Sequence, residues 1–179
     1  MNDLVAKVFL EGETAEITRI VFFQRDLKFR CRHCASLCCR LGGPPLTQKD
    51  IGLIKNAGYD PDGFLDSESV NRFRLPKRMQ GMIKDRPDGS CIFLKMDEKR
   101  GMYECSIYEY RPVLCRLYPF HLERVDSRSF LLKAIPCCRG LNDPEGEPVN
   151  EEFILRHLHK AIVDLLETPP SKASARSLR

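Results

Sequence analysis

Nine cysteines constrain this chain more than any other feature of it. Four are crowded into FRCRHCASLCCR, at Cys31, Cys34, Cys38 and Cys39. The others are Cys91, Cys105, Cys115 and the adjacent pair Cys137 and Cys138. An odd number of thiols cannot all pair as disulfides. A chain of 179 residues can bury a core without covalent staples. Thiols in such a chain read as metal ligands or redox groups more readily than as a disulfide framework. If they meet at one centre, the opening loop is half of a metal cage. Cysteines far along the chain complete it.

Composition narrows the setting. With 42% hydrophobic and 30% charged residues the chain is an ordinary globular sequence, expected to form a single domain. A formal charge of +4 permits an acidic partner without requiring one. No stretch approaches the roughly 20 apolar residues of a membrane span. The start, MNDLVAKVFLEGE, lacks the basic and apolar regions of a secretory signal. The expectation is a cytoplasmic, reducing location with no membrane partner.

The pattern along the chain predicts an α+β fold of short antiparallel strands and a few helices, with a cysteine-lined metal site on loops. Residues 1–28 form an N-terminal strand-rich segment, with ITRIVFF as a strand. Residues 29–149 carry the cysteines. The Gly42-Gly43-Pro44-Pro45 break ends the first cluster. Thr47 and Asp50 then make a capping box for a helix that Gly58 closes. A shorter helical piece includes Phe64 and Leu65. Asp88-Gly89 marks a turn, KMDEKRGMYEC a hairpin tip, and SFLLKAI a strand. Pro112 starts a short helix and Pro119 stops it. Asn150 caps an amphipathic helix over 150–168, its apolar face formed by Phe153, Ile154, His157, Leu158, Ala161, Leu165 and Leu166. A flexible basic tail over 169–179 ends the chain.

Cys31 and Cys34, two residues apart, can turn both sulfurs toward one ion. Adjacent cysteines in extended chain point to opposite sides, so one member of each pair can ligate while the other packs or meets a second metal. Nine thiols suffice for one four-thiolate site or two. Lys28, Arg30, Arg32, Arg40, Arg111, Arg116 and Arg139 lie beside the cysteines, where cations favour the thiolates that metals require. Neither the regular ferredoxin run nor the C-x3-C-x2-C pattern is present, because Leu37 and Leu41 occupy the places of the missing cysteines. All-sulfur ligation suits both zinc and iron–sulfur clusters. CRHC resembles a redox dithiol, but the Gly-Gly-Pro-Pro break leaves little room for the helix that motif needs. His33 is a base only by adjacency. His157 reads as a packed residue, and His121 as a partly buried residue or an outer hydrogen-bond donor.

Four blocks resemble a known family: FRCRHCASLCCR, PLTQKDIGLI, CIFLK…YECSIYEYRPVLCRLYPF and CCRGLNDPEGEPV. They are similar to the YkgJ-like, CxxCxxCC-type cysteine-cluster proteins, described as zinc- or iron-chelating domains. Flagellin lysine N-methylases share that domain. In this chain three residues, not two, separate Cys34 from the Cys38-Cys39 pair. The resemblance implies metal ligation by Cys31, Cys34, Cys38, Cys39, Cys91, Cys105, Cys115 and one of Cys137 or Cys138. It implies cofactor contact for Arg111 and Arg116, with pairing to carboxylates or a backbone carbonyl as the structural alternative. The expected function is a metal-binding protein holding an iron–sulfur cluster, 4Fe-4S in type, or zinc. An enzyme using that centre, an oxidoreductase or a methyltransferase-like protein, is the second reading. A zinc-ribbon-like nucleic-acid module, suggested by Tyr108, Tyr110, Tyr118 and Phe120 among the arginines, is the third and weakest.

Overall fold

The computed structural model describes residues 3–11, 16–35, 37–99 and 101–167. It has the α+β make-up that the pattern predicts. The N-terminal apolar stretch forms two antiparallel strands, β1 (Leu4–Leu10) and β2 (Ile17–Phe22). Val8 and Leu10 of β1 face inward. A register shift between Leu4 and Ala6 lets Val5 and Ala6 both be buried, as a bulge does. β3 (Lys28–Phe29) leads into the cysteine loop.

β4 (Pro45–Thr47) runs directly into α1 (Gln48–Asn56). The capping box forms as predicted: Asp50 N–H donates to Thr47 Oγ1 (3.2 Å) and Thr47 N–H to Asp50 Oδ2 (2.9 Å). Gly58, at φ +94°, closes the helix with its N–H on the Lys55 carbonyl, a left-handed position that suits glycine. α2 (Pro61–Phe64) stops one residue earlier than expected, because Leu65 opens β5 (Leu65–Asp66). After α3 (Ser69–Arg72), β6 (Met79–Ile83) pairs with both β4 and β5.

The turn at Asp88-Gly89 precedes the hairpin of β7 (Leu94–Asp97) and β8 (Met102–Cys105). A 3-10 turn over Tyr108–Tyr110 follows. Pro112 then caps α4 (Val113–Leu117), and the chain leaves that helix through a cis Tyr118–Pro119 bond. β9 (Phe120–Arg124) and β10 (Ser129–Ala134) form the next hairpin, and β11 (Glu147–Pro148) pairs with β3. Asn150 Oδ1 accepts from Phe153 N–H (2.9 Å), opening a C-terminal rod. The rod consists of α5 (Glu151–Phe153), a π turn (Ile154–Leu158) and α6 (His159–Glu167).

Two apolar clusters result. The larger lies between the sheet β2-β1-β10-β9 and the rod, where Val5, Val8 and Leu132 meet Phe153, Ile154, Leu158 and Ile162. The smaller joins Leu46, Ile54, Phe64, Ile83, Phe93 and Ile107. Truncating a fully buried residue such as Leu132 or Ile54 to alanine costs about 3 kcal/mol. The rod differs from expectation in one respect. Its π turn widens the helix and rotates the apolar stripe. Ile162, four residues after Leu158, is buried, while half-exposed His157 places Nε2 2.9 Å from Glu147 Oε1. The Leu166 side chain and the tail after 167 lie outside the described residues.

Candidate metal centre

A cavity of about 650 Å³ opens between the two clusters, with Cys31, Cys34, Cys38, Cys39, Cys105, Cys115 and Cys138 on its wall. Cys91 sits directly behind Cys39, its N–H donating to the Cys39 carbonyl (2.8 Å). Cys137 is exposed and does not line the cavity. None of the nine is in a disulfide.

Two straps bring these thiols together. The first joins the Cys31 loop to the Cys138 loop. Arg30 N–H donates to the Gly140 carbonyl (3.0 Å) and Asn142 N–H to the Lys28 carbonyl (2.8 Å). A side chain at Gly140 would start 2.3 Å from the Arg30 carbonyl oxygen, so the approach needs glycine. Arg32 Nε meets Asp143 Oδ2 at 2.8 Å, and Arg30 pairs with Glu145. Phe29, just before the loop, packs edge-on against Phe120 and Phe153, with centroids 5.9 and 6.1 Å away.

The second strap holds the other thiols. Leu94 N–H donates to the Cys91 carbonyl (3.0 Å), and Leu94 lies opposite Cys105 in the β7–β8 hairpin. Cys115 rides on α4, which is fixed at both ends. Val113 N–H donates to Asp50 Oδ1 (2.8 Å), and Arg116 Nη2 to Asp164 Oδ2 (2.7 Å). Lys49 also pairs with Asp164. Although burial opposes it, the bonds from Lys49 and Arg116 hold the Asp164 carboxyl below its ordinary range.

Cys38 and Cys39 do not point apart. Their sulfurs are 3.8 Å apart, with the Cys39 thiol donating to Cys38. Residues 37–41 form a turn, so the alternation of extended chain does not apply. That hydrogen bond, against the effect of burial, lowers the Cys38 thiol to about 7, and the Arg111 charge helps. The same bond, followed by burial, pushes Cys39 far up. Burial raises Cys91 to about 11, and it also raises Cys105, Cys115 and Cys138. Burial and then the Cys138 charge raise the Tyr118 phenol. Five crowded thiols thus resist ionising together unless a cation joins them.

Arg111 is the cation beside this group, acting on Cys38, Cys105 and Cys115. Its Nε donates to the Tyr108 carbonyl (2.9 Å), and its guanidinium lies 3.7 Å from the Tyr108 ring centroid. The backbone-carbonyl alternative therefore holds together with proximity to the thiols. Arg116 lines the cavity too, and its buried Nε–H has no hydrogen-bond partner among the described residues, a donor suited to an anionic sulfur. Lys28, Arg30 and Arg32 are instead engaged by Pro144, Glu145 and Asp143, and Arg40 lies 5.3 Å from the Tyr103 ring centroid.

His33 and His157 also line the cavity, each engaged by a neighbour. His33, at φ +49°, stacks on Tyr108 with centroids 5.6 Å apart. His121 is exposed on β9 and does not line the cavity, so it is not the partly buried residue expected. No helix follows CRHC: residues 31–35 are irregular and a turn comes next. Phe120 is buried in the core and Tyr118 is turned to Cys138.

Sequence reasoning missed Asp50 as a link to α4, together with Asp143, Glu145 and Asp164. The acidic run NDPEGE, which begins four residues after Cys138, was a readable complement to the basic FRCRHC. Asp164, on the rod, carried no such signal.

Among the described residues no three Cys, His, Asp or Glu side chains are already drawn into a coordination shell. That is usual for protonated thiols, which converge only when an ion replaces their protons. Seven of the potential donors on the wall are soft sulfur, one of those thiols is acidified, and a cation and an unpartnered N–H stand ready. This set fits a thiophilic metal. No helix of the described residues is long and apolar enough to cross a membrane.

The chain is 33% identical over 135 residues to an uncharacterized protein of Methanocaldococcus jannaschii, covering 73% of this chain and 68% of that one. No solved structure matches it. Residues 30–144 match the family model described as a "putative zinc- or iron-chelating domain", so the chain belongs to the CxxCxxCC family.

Proposed function

We propose that this protein is a cytoplasmic metal protein whose cavity thiols hold an iron–sulfur cluster. The observation that carries this reading is the gathering of seven cysteines from four distant segments on one cavity wall, with an eighth directly behind. The ligands come from Cys31, Cys34, Cys38, Cys39, Cys91, Cys105, Cys115 and Cys138. Cys138 is chosen over Cys137 because only Cys138 lines the cavity. When bound, such a cluster supplies one-electron redox chemistry.

The chain's own residues have separable tasks. Arg111 offsets the negative charge of the thiolates, and Arg116 offers its Nε–H to an anionic sulfur. Asp50 and Asp164 hold α4, and with it Cys115, in place. Phe29, Phe120 and Phe153 exclude water from one wall. Residues 29–149 carry the ligands, with 1–28 and 150–168 as flanking packing elements. A reducing compartment keeps the thiols available.

Iron, zinc and acid-labile sulfide analysis on protein purified without oxygen tests this. Iron with stoichiometric sulfide and a broad band near roughly 400 nm is expected. Zinc without sulfide or colour, favoured by the Cys31-x2-Cys34 spacing, would replace the cluster with a zinc site. Protein free of both metals contradicts the reading.

A further inference from the structure

We infer that the cavity carries two metal sites, an inner and an outer, and that Cys31, Cys34 and Cys138 form the outer one, which takes a single thiophilic divalent cation such as Zn²⁺. The inference rests on the metal-binding reading above and assigns its ligands. Eight thiols at one cavity exceed the four that a zinc ion or a cluster uses.

The thiols divide by scaffold. Cys38 and Cys39 are sulfur neighbours at 3.8 Å. Cys91 is bonded to the Cys39 backbone, Cys105 lies across the hairpin that follows Cys91, and Cys115 sits among Cys91, Cys105 and Cys38. This group belongs to the strap built from the hairpin and α4. The outer group belongs to the other strap, where Cys138 neighbours Cys34 and Cys31. That strap is closed independently by Arg30 N–H on Gly140 and by Arg32 on Asp143.

Tyr118 links the two groups. It leaves α4 on the inner side and donates its hydroxyl to Cys138 on the outer side. Exposure differs only at the two ends: Cys91 of the inner group is 5% exposed and Cys31 of the outer group is exposed, while the other six are half-buried. Three thiols leave a fourth, open position for water, as in zinc sites with three protein ligands. The outer cation is therefore the one a chelator reaches first.

The test is zinc and iron content per chain in the wild type, in Cys31→Ser/Cys34→Ser/Cys138→Ser and in Cys91→Ser/Cys105→Ser/Cys115→Ser. Circular dichroism confirms the fold of each. A chelator time course on zinc-loaded wild type is the second measurement, independent of any variant's folding. Two centres in the wild type, loss of one zinc equivalent in the outer variant with the inner metal retained, and biphasic release are expected. A folded outer variant that loses all metal or none, or release in a single phase, overturns the two-site assignment alone. Wild type with no metal overturns it together with the metal-binding reading.

Discussion

Asp50 Oδ1 accepts the backbone N–H of Val113 at 2.8 Å, across 63 residues of chain, while Oδ2 takes the N–H and hydroxyl of Thr47. One buried carboxylate thus caps α1 and anchors the helix that presents Cys115. Asp50→Ala strands three donors. It is expected to lower unfolding free energy by about 3 kcal/mol in denaturant titration and to weaken metal retention. A loss of only a few tenths would show that the link to α4 is incidental.

Asp164 carries the opposite end of the same helix. Burial opposes its ionisation, but Lys49 and Arg116 pull its carboxyl below the ordinary 3.8. A group with a depressed folded value stabilises the protein above its unfolded value. That contribution disappears as pH falls through the folded value. Asp164→Asn should therefore be less stable than wild type by about 2 kcal/mol near neutrality. The gap should close below pH 3.8, the ordinary value. Thermal melts of both proteins across pH check the crossing, and a gap that persists in acid refutes the assignment.

The cysteines predict a sharp contrast between positions. Cys115→Ser is expected to lose bound metal, whereas Cys137→Ser keeps it, because Cys137 does not line the cavity. Removing metal from the wild type should lower the melting temperature by on the order of 10 °C or more, since thiolate-bound metal contributes folding free energy directly. Elemental analysis and a melt after chelation decide both.

In the metal-free protein one thiol should stand out. Cys38 sits at about 7 rather than 9.0, chiefly through the bond from Cys39. Its alkylation by iodoacetamide should therefore be half-maximal near pH 7, because only the thiolate reacts. Cys39→Ala removes that donor, and the midpoint should move upward. Arg111→Gln should move it the same way by less. Mass spectrometry of the labelled peptide gives both profiles, and an unchanged midpoint in Cys39→Ala contradicts the pairing.

What could be read from residues alone was what neighbours in sequence decide. The Thr47–Asp50 box, the Asn150 cap, the prolines bounding α4 and the hairpin turns all depend on contacts a few residues apart. β9 escaped because its alternation, Phe120 and Leu122 inward with His121 and Glu123 outward, covers only five residues directly after a proline. β3 and β11 are two residues each and exist only through their pairing. The cysteines announced a metal site by type and spacing. Which of them share a wall depends on Asp50–Val113, Arg116–Asp164 and the contact of Gly140 with Arg30. All of these join segments that local pattern cannot connect. The turn at Cys38-Cys39 defeated a rule that holds only for extended chain.

The most direct test of the account is X-ray absorption at the metal edge of protein purified without oxygen. A first shell dominated by sulfur, at roughly 2.3 Å, is predicted, and it should diminish in Cys115→Ser but not in Cys137→Ser. A shell dominated by nitrogen or oxygen would place the metal away from these cysteines and contradict the account.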